Sequence, residues 1–142
     1  MKTGKFYLTA ALVLFFAGNL FSQNGWGPGS SYNRMYDTKT DETINGSVIS
    51  IDQITPDKNM SAGIHLLLNT AGGNISVHLG PAWYIENQDI KIIKDDNISV
   101  TGSKVTYNGD QVIIAKEVTK GDQVLKLRDE NGYPLWSGWR NK

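Results

Sequence analysis

Two residues stand out as candidates for chemistry: His65 and His78, the chain's only histidines. They lie in two β-like segments, GIHLLLNT (63–70) and NISVHLG (74–80), which flank Ala71-Gly72-Gly73, a hairpin signal. Side chains alternate along a strand, so Ile64, Leu66 and Leu68 should share one face with Ile75, Val77 and Leu79. That register pairs Leu66 with Val77 and Leu68 with Ile75. It also sets His65 opposite His78 on the other face, with Leu67, Asn69 and Ser76. Cross-strand partners have Cβ atoms about 4.5–5.5 Å apart, within reach of one ion. Imidazole suits zinc, copper, nickel or iron, and Met60, in the preceding loop, would add a thioether that favours copper. The expected cofactor, if there is one, is therefore a transition metal ion held by His65, His78 and Met60. The plain alternative is a surface pair of imidazoles stacked or hydrogen-bonded to neighbours. A slip of one residue would separate them altogether.

The second set of candidates is aromatic. Tyr84, Tyr133, Trp136 and Trp139 are expected as exposed anchors for a protein, peptide or small ligand, because such side chains dominate interfaces. At Gly80-Pro81-Ala82-Trp83-Tyr84 a strand is expected to hand over to a helix over Pro81–Gln88, since proline suits a first helical turn. A helix start attracts anions, but no Gly-rich phosphate fingerprint surrounds it and Pro81 lacks a donor. Trp83 and Ile85 are expected to plug the base of the fold, with Tyr84 outside. Asp95-Asp96-Asn97 and Asp129-Glu130-Asn131-Gly132 do not fit calcium-loop spacing and read as turns. Four N-x-S sequons, at Asn45, Asn59, Asn74 and Asn97, are expected by chance in an Asn-rich chain. G-x-S-x-G and H-E-x-x-H are both missing, and no acidic pair stands in a recognisable catalytic frame. The chain is therefore expected not to be an enzyme.

The elements that position these residues follow from composition and pattern. The chain has 142 residues, one domain's worth, with Lys+Arg 14 balancing Asp+Glu 14 and no cysteine. Charge balance gives no electrostatic footprint for nucleic acid or anionic lipid. Without cysteine there is no disulfide scaffold, thiolate-bound zinc, c-type haem attachment or lipoprotein anchor. Residues 1–22 carry Lys2 and Lys5, an apolar run Phe6–Ala17 and a polar exit, the layout of a cleaved signal peptide. The run is short of the roughly 20 residues that span a bilayer, though a retained anchor is the alternative. The protein is expected to be periplasmic or secreted, with no stable membrane span once the signal is removed. Residues 23–42 read as an extended arm with Trp26, Tyr32, Met35 and Tyr36 docked on the domain, or else as a disordered tail.

Residues 43–139 are expected to form the domain. Thr43–Ile54 is β-branched, with Gly46 marking a bulge or bend. Ile98–Tyr107 and Gln111–Val118 flank Asn108-Gly109, a strong hairpin signal that pairs Val105 with Val112, with a bulge near Gly102. Val100, Val105, Val112 and Ile114 are expected to face the Leu66–Leu79 set in part. Gln123–Arg128 is a possible further strand, followed by an aromatic tail. The order strand, strand, strand, short helix, strand, strand is all-β. It matches an OB-fold, a five-stranded Greek-key barrel with a helix between strands three and four. Another small sandwich or barrel is the alternative.

Six stretches carry a family resemblance: YNRMYDTKT (32–40), GIHLLLNT (63–70), VHLGPAWY (77–84), VTGSKV (100–105), VIIAKEV (112–118) and LRDENGYPLW (127–136). In these the chain resembles the exported bacterial OB-fold domain of the magnetosome MamS/MamX type, over roughly residues 26–139. VHLGPAWY and LRDENGYPLW are the specific parts. The resemblance implies a periplasmic OB-fold with an arm ahead of the barrel and no established catalytic activity. Some such proteins carry haem-binding CxxCH motifs linked to iron redox handling. With no cysteine, this chain departs there, and a haem role does not carry over. A more distant likeness is to periplasmic OB-fold stress proteins.

Overall fold

A computed structural model of the chain describes residues 26–27, 29–55 and 60–137. The expected signal peptide and Trp139 lie outside them. The fold is all-β: β1 (Asp41–Ile54), β2 (Gly63–Thr70), β3 (Gly73–Pro81), β4 (Asn97–Tyr107), β5 (Asp110–Lys120) and β6 (Gln123–Lys126), with one helical turn α1 (Ala82–Ile85). Two 3-10 turns, Asn33–Met35 and Thr38–Thr40, lead into β1.

One sheet runs β3-β2-β1-β4-β5-β6, and β3 also pairs with β5 in parallel. The pairings therefore form a ring, β1–β2–β3–β5–β4–β1, with β6 as an addition on β5. β1 is long because it serves two neighbours. Its first part, from Asp41 to Ser47, pairs with β4, and from Gly46 onward it pairs with β2. The exchange falls at Gly46, where a Cβ would sit 2.4 Å from the Asn69 carbonyl oxygen, so the bend needs glycine. The register slips by one residue between Val48 and Ser50.

The β2–β3 hairpin has the expected register: His65 opposite His78, Leu66 opposite Val77, Leu68 opposite Ile75. Asn108 and Gly109 both have positive φ, 51° and 89°, as a two-residue turn matching strand twist requires. Val105 meets Val112, and the register shift falls at Thr101/Gly102.

Three expectations need correction. There are six strands, not five; Gln123–Lys126 pairs with the end of β5 through the turn at Gly121-Asp122. The helix is a single turn. Asn87 Nδ2 and Gln88 Nε2 donate to the Trp83 and Tyr84 carbonyls (2.7 and 3.0 Å), and the chain leaves in tight i→i+3 bonds. On β5 the interior residues are Ile113 and Ala115, with Val77 beside Ile113; Val112 and Ile114 lie on the other face with Ser76 and His78. All four are buried, which is why VIIA shows no alternation to read.

The interior is built from Val48, Leu66, Leu68, Val77, Leu79, Val100, Ile113 and Val118, each at most 2% exposed. Trp26, Tyr32 and Trp136 join the same apolar cluster from outside the ring of strands.

Candidate functional site

His65 and His78 do not lie at the surface. They are 6% and 3% exposed, covered by the arm that precedes β1. Their rings stack with centroids 3.6 Å apart and planes 9° from parallel. Tyr32 of the arm lies nearly parallel to His78, with ring centroids 6.0 Å apart, and shares a 2.7 Å hydrogen bond between its hydroxyl and His78 Nδ1. Tyr107 meets His78 edge-on at 5.2 Å. Burial holds both imidazoles neutral: it pushes His65 down to about 4, and burial with His65 alongside pushes His78 down to about 3. Burial likewise raises the Tyr32 phenol well above its ordinary value.

The arm is held by fitted contacts. Trp26 lies against Gly63, where a Cβ would come within 2.7 Å of its ring. Trp136 of the tail lies in the same way against Gly80, whose φ of 148° also favours glycine. The two indoles meet edge-to-face at 5.9 Å, and Trp136 Nε1 donates to the Trp26 carbonyl at 2.7 Å. Asn33 Nδ2 donates to the Trp26 and Gly27 carbonyls, while its Oδ1 accepts from Arg128 Nη2 at 2.6 Å. Lower on the arm, the Asp37 amide donates to Ser103 Oγ, and Thr40 shares a hydrogen bond with the same hydroxyl.

Arg128 is the hub of this layer. It is 4% exposed, and its guanidinium carbon lies 5.1 Å from the ring centroids of both Tyr36 and Trp136. Nη1 donates to the Gly132 carbonyl, and Nε has no hydrogen-bond partner. No carboxylate pairs with it among the described residues. The cation is held by one amide, one carbonyl and two aromatic faces. Burial lowers its pKa to about 10, so it stays charged at neutral pH.

As placed, the histidine pair does not form a chelate. Imidazole lone pairs lie in the ring plane, so stacked parallel rings direct them alongside one another and not to a common point. His65 Nε2 is buried without a hydrogen-bond partner. Met60 is buried in the apolar cluster. No group of three or more His, Cys, Asp or Glu side chains that could hold a metal occurs among the described residues.

The aromatic candidates divide. Trp136 is fully buried and Tyr84 is 5% exposed, so neither is the exposed anchor expected. Tyr84 reaches inward, its hydroxyl 3.4 Å from the Lys126 carbonyl, while Trp83 and Ile85 are only partly buried, the reverse of the expected arrangement on α1. Tyr133 is exposed at 61%, and Leu135 lies near it in the tail.

Sequence reasoning missed Tyr32, Asn33 and Arg128 as partners of the histidine layer, and it missed a cleft at one end of the ring. This cleft, of about 380 Å³, lies between the last part of β1 (Ile51, Gln53) and the segment after α1 (Ile90, Ile92), with Leu66, Leu79 and Leu125 on its walls. Ile51, Ile54, Ile93 and Val124 are among the few exposed large apolar residues. The only sequence signal for it is the apolar IKII run at 90–93, which sits outside any strand.

No helix among the described residues is long and apolar enough to cross a membrane. Residues 40–125 match the model of a family described as the MamS/MamX magnetosome protein family. Among curated proteins none matches.

Proposed function

The chain belongs to the MamS/MamX magnetosome protein family, and from that premise we propose that it is an exported, non-catalytic binding module on an OB-type barrel. The ring β1–β2–β3–β5–β4–β1, with α1 between β3 and β4, supports the OB reading. In this proposal residues 1–22 are a signal peptide, 23–42 the docked arm, and 43–139 the barrel and tail.

The observation that carries the reading is the division of the surface. The outer side of β2 and β3, where OB-folds hold ligands, is filled by the chain's own Trp26, Tyr32 and Asn33. The apolar cleft beside Ile51 and Ile92 is left open. A module of this kind takes its ligand at the cleft; Tyr133, exposed on the tail, does not line it. Titration with the hydrophobic dye anilinonaphthalene sulfonate tests it. The native protein is expected to bind the dye saturably, and Ile92→Glu to lose that binding. No saturable binding by the folded wild type would remove the cleft as a ligand site.

A second reading, metal handling by His65, His78 and Met60, has one observation in its favour: the orphaned His65 Nε2. Ligation would require Tyr32 to leave and a ring to turn. Calorimetric titration with copper, zinc and iron salts decides it. Equal affinity in wild type and in the double variant His65→Ala, His78→Ala ends this reading.

A further inference from the structure

β1 has a partner on both edges only for part of its length. β4 leaves it after Ser47, and the Asp95-Asp96 segment bonds Val48 through both its amide and its carbonyl. From Ser50 to Ile54 the strand pairs with β2 on one side, and the other edge carries no backbone ladder among the described residues. That unpaired edge is also a wall of the apolar cleft. Ile51 and Ile54 on it are 38% and 43% exposed.

We infer that the cleft and this edge form one docking site for an extended segment of another polypeptide, added as a strand beside Ser50–Ile54. The inference rests on the binding-module reading and specifies its ligand. An open strand edge offers alternating N–H and C=O groups at strand spacing, and another strand's backbone matches them. Residues of the incoming segment then point alternately into the cleft and away from it, so the cleft selects an apolar side chain at one position. The rim sets the charge of the neighbours. Asp52 and Glu86 line it, and neither carboxylate has an ion pair among the described residues. Lys91 is the only cation among the described lining residues and donates to the Glu86 carbonyl; Lys120, which reaches the Lys91 carbonyl, is paired with Asp96. The net rim charge is negative, so the segment carries Lys or Arg beside its apolar residue. The same carboxylate argues against a second copy of this chain as occupant. Symmetric antiparallel pairing of Ser50–Ile54 with itself sets Asp52 opposite Asp52, and like charges directly opposed destabilise a sheet.

A random peptide library displayed on phage and selected against the purified protein supplies the probe, with recovered peptides synthesised for calorimetry. They are expected to alternate apolar residues and to carry a basic residue. Ile51→Lys and Asp52→Lys should each weaken binding by about tenfold or more, as should N-methylation of alternate peptide amides. Tyr133→Ala should leave it unchanged. All three substitutions lie at exposed positions, and urea titration verifies that each variant is folded. Binding indifferent to Ile51→Lys and to N-methylation overturns the inference. Peptides that depend on Tyr133 also overturn it but leave the module reading standing. Recovery of no peptide overturns the strand-addition site while saturable dye binding still upholds the cleft. A dimer in sedimentation that Ile51→Lys dissolves assigns the edge to a second copy and overturns the choice of partner.

Discussion

The inside of the strand ring and its arm-covered outer side are both dry, but they are specified differently. Inside, Leu66, Leu68, Val77 and Val100 fill space through side-chain alternation, and any apolar residue of similar volume would nearly serve. Outside, each contact has a particular partner: Trp26 on Gly63, Trp136 on Gly80, Tyr36 on Gly132, and Arg128 between two rings. A layer of the first kind tolerates substitution, whereas a layer of the second kind depends on individual residues. This is also why VHLGPAWY and LRDENGYPLW are distinctive as text: their glycines and aromatics meet in one assembly with the arm.

The widest test of that contrast is Trp26→Ala. If the arm is part of the cooperative fold, the substitution costs about 3–5 kcal/mol of global stability in urea titration. A loss near zero, with protease cutting confined to the arm, would make the outer layer separable. Leu66→Ala is the matching interior change, expected to cost about 2–5 kcal/mol, and Leu66→Met well under that. Equal losses for Ala and Met would show the interior to be as shape-specific as the exterior.

Acid separates the two regions further. His65 and His78 have folded pKa values of about 4 and about 3, below the ordinary 6.5. The unfolded chain therefore takes up protons first as pH falls. Stability is full above pH 6.5, declines below it, and the loss is complete only below the folded values. Each histidine contributes a slope of at most about 1.4 kcal/mol per pH unit. Since His65 Nε2 has no partner to lose, His65→Phe should keep the stack and roughly halve the slope. An unchanged slope in that variant would place the titrating group elsewhere. The smallest effect is expected at Tyr133→Ala, within about 0.5 kcal/mol, because the ring stands in solvent.

How far the sequence could be read follows the same division. The β2–β3 register was legible because Ile75, Val77 and Leu79 alternate with Ser76 and His78 beyond a Gly-Gly turn. The Val105–Val112 pairing was legible from Asn108-Gly109, and Gly102 marked its bulge. The face of β5 was not, since Val112 to Ala115 is apolar throughout and buried on both sides. The burial of the histidines was illegible for a different reason. It depends on Tyr32, 46 residues away from His78, in a segment without any period. Trp136 was mistaken for an exposed anchor because nothing local marks Gly80 as its seat. The expected transition-metal chemistry rested on facing positions, which the hairpin provides; the ring orientation depends on the arm.

The bond from Trp136 Nε1 to the Trp26 carbonyl joins residues 110 apart, and that from Arg128 to Asn33 joins residues 95 apart. The arm is made before any of the strands, and its clasp comes after the last of them. A ribosome releasing the chain from Trp26 onward must therefore deliver every strand before the arm can be locked. Any product cut short before Arg128 lacks the clasp and keeps an unfinished face towards water. Closure of the outer layer thus reports that all six strands have been delivered, and a copy cut short before Arg128 presents loose aromatic residues to any protease it meets.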